Sequence, residues 1–177
     1  MRIVSGSLKG RKIESPYWKG LRPTSERLRE TIFDVLAESI EGTRVLDAFA
    51  GTGAVGFEAL SRGAAQTVFV DNDERAVSLI TRTAEQFAVA GQCEVILGDV
   101  PEFEFSGSLL KAFDLIFCDP PYGYERIDKA LERIKTGLAF DGVIVLERSK
   151  RVSEIGVTGL DLYRTIRAGD SRLDLYR

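Results

Sequence analysis

From residue 44 onward, short apolar runs alternate with stretches of helical period. Arg44–Ala48, Thr67–Val70, Glu94–Leu97, Phe113–Cys118 and Val143–Leu146 are rich in β-branched or aromatic residues, which predicts strands buried on both faces. Between them Gly53–Arg62 closes at Gly63, Glu74–Ala90 closes at Gly91, and Glu125–Lys135 closes near Gly137 with Ile127, Leu131 and Ile134 at helical spacing. Such alternation predicts a doubly wound α/β fold with a mainly parallel sheet. Leu160–Ile166 and Ser171–Tyr176, split by Ala168-Gly169-Asp170, read as an antiparallel C-terminal hairpin that brings the sheet to seven strands.

Ahead of the sheet, Leu28, Ile32, Val35 and Leu36 form an apolar stripe on a helix that Thr24 or Ser25 would cap, with Pro23 outside it. Further back, Ile3-Val4 and Lys12-Ile13 can pair as a small hairpin around Gly6, Ser7 and Gly10, displaying Lys9 and Arg11 near its turn. The expected organisation is an N-terminal extension over residues 1–43, made of hairpin and helix, and a sheet domain over 44–177.

Composition narrows the chemistry. A chain of 177 residues buries about 70% of its unfolded surface, enough to need neither disulfide nor structural metal. Cys93 and Cys118 lie in apolar surroundings and read as reduced, buried thiols. There is no histidine, which removes a Ser-His-Asp triad, an imidazole base and a His-ligated zinc. No apolar run reaches the roughly 18 to 20 residues of a membrane span, and the beginning of the chain lacks the apolar centre of a signal peptide, so a cytoplasmic protein is expected, with no membrane and no metal partner. Charge is unevenly spread: residues 1–30 hold eight Lys or Arg against three acids, a net +5, and the rest sums to −8. A basic arm suits a nucleic-acid phosphate backbone, while a solvated charged surface would look the same.

Gly51-Thr52-Gly53-Ala54-Val55-Gly56 follows the first strand with the spacing G-x-G-x-x-G, and Asp71 lies at the end of the second. A dinucleotide site would look similar. Asp47, four positions ahead of the first glycine, would repel a pyrophosphate and attract a cation. S-adenosylmethionine, with its ammonium and sulfonium and no phosphate, is such a ligand. Asp71 then stands where a carboxylate can accept the ribose hydroxyls, and Asp99, after the third strand, can accept from the adenine amine.

Asp119-Pro120-Pro121-Tyr122 ends the fourth strand and so lies at the same sheet edge. Two prolines make a stiff corner that offers carbonyl acceptors, a carboxylate and an aromatic ring together. Acceptors aimed at an exocyclic amine return its lone pair from the ring to nitrogen, which becomes nucleophilic without a histidine, while Tyr122 stacks on a base taken out of its helix.

On these residues the chain resembles the small-subunit rRNA guanine-N2 methyltransferases of the RsmD type, within the Rossmann-like enzymes that use S-adenosylmethionine. The resemblance runs from Ile3-Val4-Ser5-Gly6 and Gly10-Arg11-Lys12, through Leu21-Arg22-Pro23-Thr24 and Arg27-Leu28-Arg29-Glu30, to Asp47-Ala48-Phe49-Ala50-Gly51-Thr52-Gly53 and Glu58–Ala64. Asp119–Tyr122 and the ending Gly169-Asp170 through Leu175-Tyr176-Arg177 complete it. It implies methylation of the guanine customarily numbered 966, on an assembling subunit. It implies a catalytic set of Asp119, Pro120, Pro121 and Tyr122, and a cofactor set of Asp47, Phe49, Ala50, Gly51, Thr52, Gly53, Asp71, Asn72, Asp99 and Val100. Lys9, Arg11, Arg22, Thr24, Arg27 and Arg29 are the expected RNA contacts. Two rivals share features of this chain. A DNA adenine-N6 methyltransferase would use the same corner but lacks room here for a domain that reads base edges, and a catalytically silent RNA-binding module would keep the fold alone.

Overall fold

The computed structural model describes residues 1–16, 24–36, 40–121, 123–150 and 155–177. Helix α1 (Glu26–Val35) precedes β1 (Arg44–Ala48), α2 (Ala54–Ser61), β2 (Gln66–Asp71), α3 (Glu74–Gln86), β3 (Cys93–Leu97), β4 (Phe113–Cys118), α4 (Ile127–Ile134), β5 (Leu138–Ser149), β6 (Leu162–Ala168) and β7 (Ser171–Tyr176). The seven strands form one sheet in the order β3-β2-β1-β4-β5-β7-β6. The first five run parallel, and β7 is antiparallel to both β5 and β6. The doubly wound architecture and the closing hairpin are as the apolar pattern predicts.

Alternate residues of the strands feed two cores. On one face Val45, Phe69, Leu115, Phe117 and Val145 pack with Ile32 and Phe33 of α1, Phe57 of α2 and Ile80 of α3. On the other, Leu46, Val68, Ile116 and Ile144 meet Ala130, Leu131 and Ile134 of α4. Ser25 caps α1, its hydroxyl accepting from Leu28 N at 3.2 Å.

The N-terminal segment is part of the first core, since Ile3, Leu8 and Ile13 belong to the same cluster as the sheet residues. Its two limbs pair as expected: Arg2 bridges Lys12, Ile3 N donates to Arg11 O at 3.0 Å and Ile13 N to Met1 O at 3.0 Å. Buried Glu58 of α2 anchors the limb, accepting from Val4 N at 2.8 Å and Ser5 N at 3.0 Å, while Ser7 N donates to Ser61 O at 2.7 Å. Gly6, at φ +80, is where the backbone presses against Ser61.

Three boundaries differ from the pattern. Helix α3 stops at Gln86 because Ala88 takes φ +58, which no continuing helix allows. Strand β5 begins at Leu138, five residues before Val143, because a register shift opposite Phe113–Leu115 admits fully exposed Phe140 and breaks the apolar run. Strand β6 is Leu162–Ala168. Both cysteines are free thiols; burial pushes Cys93 up to about 12 and Cys118 higher still, so neither is a ready nucleophile. No helix among the described residues is long and apolar enough to cross a membrane.

Candidate active site

The order of strands reverses between β1 and β4, and in open α/β sheets a ligand crevice lies beyond the carboxyl ends at such a reversal. Strand β1 runs there into Phe49-Ala50-Gly51-Thr52-Gly53, where Phe49, Gly51 and Gly53 take φ of +64, +56 and +72. The glycines adopt this left-handed turn freely, whereas Phe49 is strained and is held by its ring, edge-on to Tyr124 at 5.2 Å. Ala50 and Thr52 are buried in the turn. Asp71, at the end of the neighbouring β2, ties the loop down: Oδ2 accepts from Gly51 N at 2.7 Å and Oδ1 from Asp73 N at 2.9 Å. Burial raises the Asp71 pKa, and the amides pull it back. Each carboxylate oxygen keeps a lone pair beyond the amide it accepts, so the group can hold the loop and still receive hydroxyls. Asn72 beside it is exposed.

Asp47 does not stand in the crevice as an open charge. It is only 3% exposed, and Oδ2 accepts from Gly56 N at 2.9 Å in the first turn of α2. Burial pushes its pKa up to about 7, so the group is held closer to its neutral form than the open carboxylate expected there. Asp99 is likewise engaged: Oδ2 accepts from Arg126 Nη1 at 2.8 Å, at the margin of an exposed network with Glu102 and Lys129. Val100 next to it is buried. The glycine turn backed by carboxylates at the ends of β1 and β2, and beyond β3, offers acceptors for hydroxyls and ammonium. That acceptor chemistry fits a positively charged nucleoside that carries an amino-acid tail.

The Asp47 shift carries a prediction. The folded state holds a proton that the unfolded chain, with an ordinary carboxylate pKa of 3.8, releases, so this group costs the fold stability as pH rises from about 4 through about 7. Asp47→Asn keeps a carbonyl acceptor for Gly56 and cannot ionise. Its thermal midpoint, relative to wild type, is expected to rise between about pH 4 and about pH 7 and to level off above that. A difference independent of pH would refute the assignment.

Asp119 follows β4 and is partly buried, and its Oδ2 accepts from Thr24 Oγ1 at 2.7 Å. The segment ahead of α1 therefore reaches the corner itself. Pro120 and Pro121 follow; Tyr122 lies outside the described residues. A cavity of about 640 Å³ opens on Pro120, Pro121, Tyr124 and Glu147, and one of about 250 Å³ on Thr24, Arg27, Asp119, Glu147 and Ser171. Sequence reasoning passed over Tyr124 and Glu147. The second could have been found by the rule that picked Asp71, an acid at the carboxyl end of a predicted parallel strand.

The whole chain, residues 1–177, matches the family model described as "Conserved hypothetical protein 95". The chain belongs to this family, the RsmD type. It is 34% identical over 168 residues to the "Putative rRNA methyltransferase YlbH" of Bacillus subtilis strain 168, covering 93% of this chain and 91% of that one. It is 36% identical over 151 residues to "Ribosomal RNA small subunit methyltransferase D" of Escherichia coli strain K12, covering 83% and 74%. Among solved structures, "Putative methyltransferase yhhF from Escherichia coli" superposes with a TM-score of 0.85 at 30% identity, covering 99% and 96%.

Of the positions that resemblance to the RsmD-type family assigns to RNA, Lys9 and Arg27 are exposed, Thr24 is at Asp119, and Arg22 lies outside the described residues. Two are used differently. Arg29 is fully buried, because it shares the α1 face of Phe33; it donates to Arg2 O at 2.6 Å and Thr24 O at 3.3 Å and ties the arm to the helix. Desolvation lowers its pKa, with Glu58, Glu26 and Glu30 opposing. Arg11 does not reach outward: it donates to Phe87 O at 2.9 Å and Gln86 O at 2.5 Å and lies 4.6 Å from the Phe87 ring centroid, closing the C-terminus of α3.

Proposed function

We propose that this chain transfers a methyl group from S-adenosylmethionine to the exocyclic N2 amine of a guanine in small-subunit rRNA, customarily position 966, within an assembling subunit in the cytoplasm. The observation that carries the reading is the Asp119 corner, set at the strand-order reversal beside the glycine turn and reached by Thr24 from the basic arm. The names of the relatives support rRNA as the substrate.

Gly51, Thr52, Gly53, Asp47, Asp71, Asn72 and Asp99 would hold the cofactor, with Phe49, Ala50 and Val100 shaping its walls. When bound, it supplies an electrophilic methyl group on a sulfonium. Asp119 accepts one hydrogen of the target amine and the Pro120 carbonyl the other, which localises the nitrogen lone pair and points it at the donor. The Thr24 hydroxyl donates to Asp119 Oδ2 and orients the carboxylate that receives the amine. As nitrogen gains the methyl group it becomes acidic, and the same carboxylate takes the proton it sheds. Tyr122 supplies the stacking face for the extruded base.

The test is transfer of labelled methyl to small subunits from a methyltransferase-deficient strain, followed by identification of the modified nucleoside. N2-methylguanosine supports the reading; any other methylated nucleoside, or no transfer, overturns it. Exposed Arg27, on the 250 Å³ cavity, is expected to touch a phosphate. Arg27→Ala is predicted to weaken subunit binding, leave cofactor affinity unchanged, and lower the slope of log K against log salt by about 0.7 to 0.9. An unchanged slope in a binding titration would remove Arg27 from the RNA surface.

A further inference from the structure

Glu147 of β5 is a carboxylate that the fold leaves half used. Leu146 pairs with Cys118, so the parallel register sets Glu147 beside Asp119, with their strands about 4.8 Å apart. Both side chains belong to the face whose preceding residues, Phe117 and Val145, pack under α1. Glu147 is only 5% exposed. Its Oε1 accepts from Ser171 Oγ at 2.7 Å, and its buried Oε2 has no hydrogen-bond partner among the described residues. Glu147 lines the 640 Å³ cavity with Pro120 and Pro121, and the 250 Å³ cavity with Thr24 and Asp119. A buried acceptor without a donor costs the fold stability, and the residue that carries it lines both cavities, one with Pro120 and Pro121 and the other with Asp119.

The chemistry of a partner follows from the pair of acceptors. Adenine and cytosine each place a ring-nitrogen lone pair next to their exocyclic amine, and a carboxylate there would face it in repulsion. Guanine places N1–H next to its 2-amine, two adjoining donors. A second carboxylate beside the one that receives the amine therefore admits guanine and rejects the other two amine-bearing bases. We propose that Glu147 Oε2 accepts the N1–H of the target guanine while the Asp119 corner receives the 2-amine, making Glu147 the residue that selects the base. This rests on the guanine-N2 reading above, and it accounts for how a corner able to serve adenine chemistry is restricted to guanine.

Glu147→Gln keeps an oxygen for Ser171 and puts an N–H donor where Oε2 was. The substrates are small subunits reconstituted with either guanine or 2,6-diaminopurine at the target position; the latter keeps the 2-amine but carries a lone pair at N1. Wild type is expected to favour guanine. In the variant the ratio of kcat/KM for guanine over diaminopurine is expected to fall by about 10- to 100-fold, since the new N–H repels N1–H and donates to the N1 lone pair. A merely structural role would not move this ratio. A ratio unchanged in the variant, including a fall by the same factor on both bases down to no transfer, overturns the assignment of Glu147. Wild type that fails to methylate guanine overturns the guanine-N2 reading itself. Should Glu147→Gln not fold, Ser171→Ala loosens the same carboxylate, and its ratio is expected to fall severalfold; an unmoved ratio there also overturns the assignment.

Discussion

Asp119→Ala is expected to lower kcat by about 100- to 1,000-fold, the scale for losing one placed polar group at a developing charge. The loss falls on kcat because the amine and Asp119 interact most strongly as nitrogen gains positive charge, whereas substrate binding draws on the arm and the cavity walls. Stability should change less than turnover: Asp119 is only partly buried, and the Thr24 hydroxyl, also partly exposed, can turn to water. Single-turnover transfer at saturating cofactor, with a thermal melt of the same sample, separates the two effects. Wild-type turnover in the variant would remove Asp119 from the chemistry.

Gly6→Ala should be the most damaging substitution for the fold. At φ +80 any side chain is strained, and a Cβ there would fall on the Ser61 carbonyl, a backbone group that cannot turn aside. The limb would lift from α2, and buried Glu58 would lose its two amide donors from Val4 and Ser5. Glu58 would keep only Arg62 Nε, at 3.0 Å from Oε1, and losing two hydrogen bonds to a buried carboxylate costs about 3 to 6 kcal/mol, a shift in Tm on the order of 10 °C for a chain of this size. Gly10 is the internal control: its φ is +81, but a Cβ there meets nothing within 4 Å. Gly10→Ala should cost about 1 kcal/mol of backbone strain. Equal losses of Tm in the two variants would show that strain, not contact with Ser61, makes Gly6 necessary.

Features set by local pattern were legible in the sequence. Buried parallel strands are continuous apolar runs, so β1, β2 and β4 stand where those runs stand, and the glycine turn and the Asp-Pro-Pro corner fall at strand ends. What escaped depends on partners distant along the chain. Arg11 and Arg29 looked alike as members of a basic segment. One finds the last carbonyls of α3, 75 and 76 positions on, and the other finds carbonyls of its own arm from inside the core. Asp99 was a free carboxylate until α4 brought Arg126 to it. Glu147 follows a predicted strand as Asp71 does, but its place beside Asp119 comes from the register with β4 and its hold from a hydroxyl on β7, both distant along the chain.

The first residues of the chain share their core with the sheet, through Ile3, Leu8 and Ile13. In evolutionary terms, a segment so built into the core cannot be traded as a cassette. Removing it would uncover the apolar face that α1, α2 and the strands bury together, and it would take from Glu58 the two amide donors of Val4 and Ser5. On the proposed function, a lineage that keeps this architecture would change its target by substitutions at exposed positions such as Lys9 and Arg27, one side chain at a time, with the frame underneath unchanged.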